Sequence, residues 1–476
     1  MERLGDAATP RGTAPTDAVP ERSQITVLSL PTALFVRICM LLPVDSRLAC
    51  AAVCRPWRAA LAEHSLWTHL DLSPESGVLE RQSGVLEGKI GDHFHGDGWV
   101  RANGFLDCVI QRAGGSLESL RIDLPWISRN ALLPAIAANA GALRELYTSG
   151  GFPGTHDNPS PADGISIWDV RQVLSKAPQL QTWVADDFRA YSVEEATTAL
   201  CNEAPLELLR VQHLLVDLLH QNNLNFAELA AGIAKHDGLE GLTIHLWSRR
   251  PENLVALDAV VDAALSRGLL SLNLDNPGGR LPPVLVPAIA RLLGGSSITR
   301  LRCRGLQVVD YHDAEIFAAA LRANATLTDL SLSRNVDSVG PVVASAVLSA
   351  LSGHVSLQHL SFDVNDGHDA GAVGAALGAL VSANAPALTN LHLSQQYCME
   401  MADSVLIKLL FEALPANTHL RVLHCTYRFS RGLMADVVLP AVRANSSLRK
   451  LKLVWHSDEH VDPLIAEAEQ IVRDRV

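Results

Sequence analysis

The sequence predicts an α/β chain: a short N-terminal helical module, then a long solenoid of strand–helix repeats. Three observations predict it. The pattern L-x-x-L-x-L recurs, with substitutions, along most of the chain. Ala-Asn pairs recur three or four residues ahead of the first leucine of a copy, a signal for helix ends. Residues 30–58, LPTALFVRICMLLPVDSRLACAAVCRPWR, instead space their apolar side chains at helical intervals.

Residues 1–24 are rich in Ala, Pro and Thr and lack an apolar run, so a disordered tail is expected there, not a signal peptide. The helical module is expected over 25–65. Leu30-Pro31 opens it, because a proline at the first helical position loses no hydrogen bond. Leu34, Phe35, Ile38 and Leu42 then share a helix face. Pro43 stops this helix, and Asp45 or Ser46 can cap the next. Leu48, Ala52, Val53 and Trp57 give the second helix an apolar face edged by Arg55 and Arg58. So small a unit buries too little surface to stand alone and is expected to pack on something else.

The segment Ile25–Leu72 resembles the F-box. The residues that carry the likeness are Leu30-Pro31, Leu34, Ile38, Leu42, Leu48, Val53-Cys54-Arg55 and Trp57-Arg58; Ala33 stands where the family often has an acid. The resemblance implies docking onto a Skp-type adaptor and, through it, a cullin. The implied adaptor-binding residues are Leu30, Pro31, Leu34, Phe35, Ile38, Leu42, Leu48, Val53, Cys54 and Trp57.

The solenoid is expected over 66–476. Leu66–Leu72 reads as a degenerate first copy. A surface insertion is expected at 73–103, where a short duplication (Ser76–Glu80 and Ser83–Glu87) precedes a Gly/His-rich stretch. Further copies start at Leu117, Leu143, Leu180, Leu206 and Leu239, and then at Leu269, Ile298, Leu327, Leu357, Leu388, Leu420 and Leu448. From Leu239 onward the starts lie 28 to 32 residues apart, room for one strand and one full helix. Ile316, Phe317, Ala320 and Leu321 give such a helix its face. Asn139, Asn324, Asn384, Asn417 and Asn445 mark helix ends, where a left-handed backbone (positive φ) is expected. The unit resembles the ribonuclease-inhibitor type of leucine-rich repeat. That resemblance implies strands on a concave face and helices on a convex one. Leucines then point into the core and alternate residues onto the open face, among them Arg121, Asp275, Asp363 and Lys452.

Gly84 to Lys89 is one residue short of a phosphate loop and follows no strand. Asp92, His93, His95 and Asp97 have no distant Cys or His to complete a metal set, so no metal is expected. Cys303, Cys425 and Trp183 read as core substitutes for leucine. His392 and His424 occupy equivalent places on adjacent strands, as hydrogen-bonded residues or as a ligand-binding, pH-sensitive pair. Tyr427 and Trp455 read either as packing at strand ends or as aromatic anchors for a partner. Arg300, Arg302 and Arg304 alternate along one strand, either paired with Asp275 and Asp329 or free to meet an acidic or phosphorylated segment.

The chain is 48% hydrophobic with a net charge of −12, and no basic run argues for nucleic acid. Its eight cysteines have no CxxC spacing and suit a reduced, cytoplasmic or nuclear protein; no stretch argues for a membrane span. No nucleophile–base set or cofactor loop is present, so neither an enzyme nor a cofactor is expected. The expected function is a non-catalytic substrate receptor of a Skp–cullin–F-box ubiquitin ligase, its repeats capturing a protein target. The alternative is a leucine-rich scaffold or regulator not coupled to a ligase.

Overall fold

The structure is a computed structural model. It describes residues 32–42, 44–53, 55–72, 76, 97–123, 127–149, 165–201, 209–218, 224–246, 248, 252, 254–276, 279–295, 297–306, 308, 311–333, 341–364, 370–395, 405–427, 429–454 and 463–475. The chain divides into two compact units, Met1–Leu66 and Trp67–Val476. The expected tail at 1–24, most of the insertion at 73–103, and Leu30, Pro31, Cys54 and Trp455 lie outside the described residues, as do the side chains of Leu48 and Arg58.

The first unit is helical: α1 (Thr32–Met40), α2 (Val44–Val53) and α3 (Arg55–Ala60), followed by a 3-10 turn, His64–Trp67, that crosses into the second unit. The expected second helix is therefore two. It starts at Val44, so Asp45 and Ser46 lie within its first turn and not at the residue before it. Arg47 ties the unit together: its Nε donates to the Leu42 carbonyl (2.9 Å) and its Nη1 to the Leu66 carbonyl.

The second unit runs β1 (His69–Leu72), α4 (Asp97–Ala113), β2 (Ser119–Asp123), α5 (Arg129–Ala138), β3 (Glu145–Ser149) and α6 (Ile167–Lys176). It continues with β4 (Thr182–Ala190), α7 (Val193–Leu200), β5 (Leu209–Leu218), β6 (Leu224–Asn225), α8 (Ala227–Lys235), β7 (Gly241–Leu246), β8 (Leu254–Val255) and α9 (Leu257–Arg267). Next come β9 (Ser271–Asp275), α10 (Leu285–Gly294), β10 (Arg300–Arg304), α11 (Tyr311–Ala323), β11 (Asp329–Ser333), α12 (Pro341–Leu351), β12 (His359–Val364) and α13 (Ala370–Ser382). The last elements are β13 (Asn390–Gln395), α14 (Val405–Ala413), β14 (Val422–Thr426), α15 (Arg431–Leu433), a π-helical turn (Met434–Val438), α16 (Leu439–Ala444), β15 (Lys450–Val454) and α17 (Pro463–Arg473). Thirteen of the strands form one all-parallel sheet in chain order; β6 and β8 pair separately. This is a strand–helix solenoid of the leucine-rich-repeat type. Leucines stack in register across it, as in Leu301–Leu330–Leu360–Leu391–Leu423–Leu451, all buried. The intervening residues form the open face.

The insertion ends earlier than expected. α4 begins at Asp97 and buries Ala102, Leu106, Val109 and Ala113. The glycines at 96 and 98 suggested a loop, but the apolar stripe behind them prevails. In α11 the buried stripe is Ala314, Phe317, Ala318 and Leu321, with Ile316 and Ala320 only half-buried.

The asparagine reading is corrected at four of five positions. Asn384 alone of the five has a positive φ, 55°. Asn139, Asn417 and Asn445 have negative φ (−114°, −83° and −74°), and Asn324 is not in the left-handed region. Their side chains act instead. Asn324 Oδ1 accepts from Thr326 and Leu327 N–H, and its Nδ2 donates to the Leu293 carbonyl of the preceding repeat (2.7 Å). Asn417 bonds His419, Leu420 and the Val381 carbonyl the same way; Asn445 bonds Ser447, Leu448 and the Leu414 carbonyl. Each sits three residues before its leucine. Asn139 and Asn384 sit four before their leucines: Asn139 is still buried, its Oδ1 accepting from Leu117 N–H (3.1 Å), whereas Asn384 bonds Thr418 and His419 nearer the surface. His354 takes the station in its own repeat, with Nδ1 accepting from Leu357 N–H (3.2 Å).

One irregularity was not expected. β4 and β5 are about twice the usual length and shift phase together near Asp187 and His213. Their first halves pair in step with β3, as Leu146–Trp183–Leu209. Their second halves carry the later repeats, as Phe188–Leu214–Leu242. The leucine frame thus steps by five residues, from Leu209 to Leu214. Ile165 covers the free edge of β4 through hydrogen bonds with Asp187 and Arg189 (2.9 and 2.7 Å).

Candidate protein-docking surfaces

In the first unit α1 places Leu34 and Ile38 one turn apart, and Leu41 follows in the turn after it, with exposures of 46%, 41% and 86%. Val53 at the end of α2 is also exposed, and Leu42 is half-buried. These side chains form an aliphatic row left in water, a candidate docking surface. Phe35 was expected to face a partner. It is buried instead, its ring centroid 4.9 Å from that of Trp57. Trp57 is half-buried. The aromatic pair therefore holds the helices together and leaves the aliphatic row to the outside. Position i+1 of an amphipathic helix can serve either face, so sequence periodicity alone did not separate Phe35 from Leu34.

In the second unit the open face is polar. Arg302 donates to Asp329 (3.0 Å), and Arg304 lies 3.7 Å from Asp275. Two of the three arginines are thus neutralised by the adjacent strands. Arg300 is exposed, with no ion pair among the described residues. The Ser331 and Ser361 side chains are short and leave a cavity of about 360 Å³ bounded by Arg302, His359, His392 and His424. His392 and His424 stack face to face, centroids 4.2 Å apart and planes 2° from parallel. Parallel stacked rings direct their nitrogen lone pairs side by side, so the pair does not converge on one metal ion. Burial, then the His392, Lys452 and Lys450 charges, push the His424 imidazole down to about 4. His392 is shifted down for the same first reason.

Tyr427 is corrected as an aromatic anchor. It is buried, and its ring meets Phe429 edge-on at 6.0 Å, so it has little face to offer a partner. Cys303 and Cys425 are fully buried and their thiols are pushed up to about 12 by desolvation, which leaves them unreactive packing groups. Trp183 is buried as expected, its indole N–H donating to Thr148 Oγ1 (2.9 Å). No cluster suited to a metal ion occurs among the described residues, and none of their helices is long and apolar enough to cross a membrane.

Sequence reasoning missed Lys450 among the candidates. It and Lys452 are exposed on β15, two residues apart on the same open face. The signal, K-L-K-L in the last repeat, was visible. Its meaning depended on which strands neighbour it.

The F-box-like family model matches residues 27–73. This small part of the chain contains the exposed aliphatic row. No curated protein matches the chain.

Proposed function

We propose that this protein is a non-catalytic substrate receptor of a Skp–cullin–F-box ubiquitin ligase. The observation that carries the reading is the exposed row of Leu34 and Ile38 on α1 and Leu41 just past its end, inside the F-box-like match. Covering such side chains with an adaptor is worth about 1.5–3 kcal/mol each. The solenoid, read as repeats of the ribonuclease-inhibitor type, presents a wide face for a protein target. Catalysis then belongs to the ligase partners, and the receptor works inside the cell. Co-purification with a Skp-type adaptor tests the reading. Leu34→Asp with Ile38→Asp should abolish capture while circular dichroism of the solenoid stays unchanged. Undiminished capture by the double variant would refute the docking role of this helix. If neither form captures the adaptor, the second reading stands: a repeat scaffold without a ligase.

A further inference from the structure

The Arg302 and Arg304 charges are met by aspartates on adjacent strands, whereas the strands next to Lys450 and Lys452 carry no carboxylate among the described residues. Both lysines are exposed, and neither has an ion pair among the described residues. The strands beside them supply no acid. β14 places Val422, His424 and Thr426 opposite Lys450, Lys452 and Val454, and β13 places Asn390, His392 and Ser394 beyond. The first carboxylate along the sheet is Asp363 on β12, which accepts a hydrogen bond from Ser394. Arg421 and Arg449 add positive charge at the strand entrances, although the chain as a whole carries −12. A cationic end of this kind in an acidic protein attracts an anion.

We propose that the open face of β13–β15 docks an extended, Glu/Asp-rich polypeptide segment, with Lys450 and Lys452 anchoring its carboxylates over the His392–His424 stack. The two lysines lie about 6.6 Å apart by strand rise, so they can hold one carboxylate between them or two neighbouring ones. From β15 the segment crosses toward the cavity over Ser331 and Ser361, where the sheet leaves room for side chains. Asp329, held by Arg302, and Asp363, buried and bonded to Ser394, flank that path, so the positive charge is concentrated at β15 and does not run as a stripe along the sheet as a phosphate backbone requires. A peptide can present its acids to the lysines and uncharged residues to the aspartates. That the segment belongs to a ubiquitination target rests on the receptor reading above; the docking chemistry does not.

The test uses the full chain and two labelled eight-residue peptides, one alternating Glu and Ser, the other Gln and Ser. Fluorescence anisotropy should show binding of the Glu peptide only, weakening as salt rises. Lys450→Glu with Lys452→Glu should weaken it at least tenfold. Lys450→Met with Lys452→Met, which keeps the aliphatic stems, should also weaken it while the melting temperature stays unchanged. Equal binding of both peptides, unchanged binding by the charge-reversed variant, or displacement by less duplex DNA than free Glu peptide would each overturn the proposal. Adaptor capture is measured on the same samples. Its loss with peptide binding intact sinks the receptor reading alone, and the converse sinks the docking surface alone.

Discussion

Asn445 satisfies two N–H groups and two carbonyls at a buried turn between repeats, with 1% of its surface exposed. Asn445→Ala orphans those groups and should cost about 1–3 kcal/mol in urea unfolding. Asn384→Gly should cost less: its backbone is already left-handed, and its side-chain partners Thr418 and His419 reach water. Equal losses would contradict the division of labour drawn between them. His354 fills the same station as a neutral ring, its pKa lowered from 6.5 first by burial. The unfolded chain then binds a proton more readily than the folded one. His354 stability is present above 6.5 and lost as pH falls below it. His236, shifted down likewise and accepting from Val211 N–H, adds to the same slope. His354→Asn should flatten the loss of stability on acidification; an unchanged slope would count against this assignment.

Between the elements, coupling is uneven. Helices α7 to α14 pack each on the next, and so do α4 to α6, but α6 and α7 barely touch. That gap coincides with the register step in β4 and β5. In a solenoid, stability is a sum of repeat and neighbour-interface terms, so a weak interface divides the unfolding. Hydrogen exchange in rising urea should show the amides of β2 and β3 opening before those of β9 to β14. A single coincident transition would contradict this. The leucine frame was legible from Leu239 onward because the copies start 28 to 32 residues apart, and most carry an Asn or His three or four residues ahead of the first leucine; Leu269 and Ile298 do not. The step at Leu214 was not legible. The run Leu209–Leu218 offers leucine and valine in both phases, and pairing with Leu242 decides between them. The start of α4 was masked by glycine. The role of the asparagines was misread because a helix-end asparagine serves equally by backbone or by side chain, and only burial distinguishes the two.

For the whole molecule, the exposed row on α1 was legible as an apolar helix face, whereas the solenoid's charge pattern required the sheet to be assembled. The sequence offered Arg302 both as paired with an aspartate a full repeat away and as free, and the assembled sheet decides for the pair with Asp329. The acidic net charge and the aspartates among the basic side chains argue against general nucleic-acid binding. A duplex-DNA titration near physiological salt should give no specific complex, and a steeply salt-dependent one would overturn this. The central claim is adaptor docking. Calorimetric titration of the full chain with a purified Skp-type adaptor tests it most directly. The account predicts a saturable one-to-one complex with a negative heat-capacity change, as apolar burial requires, lost in the Leu34→Asp/Ile38→Asp variant. A null titration, or a complex that the double variant forms equally well, would contradict it.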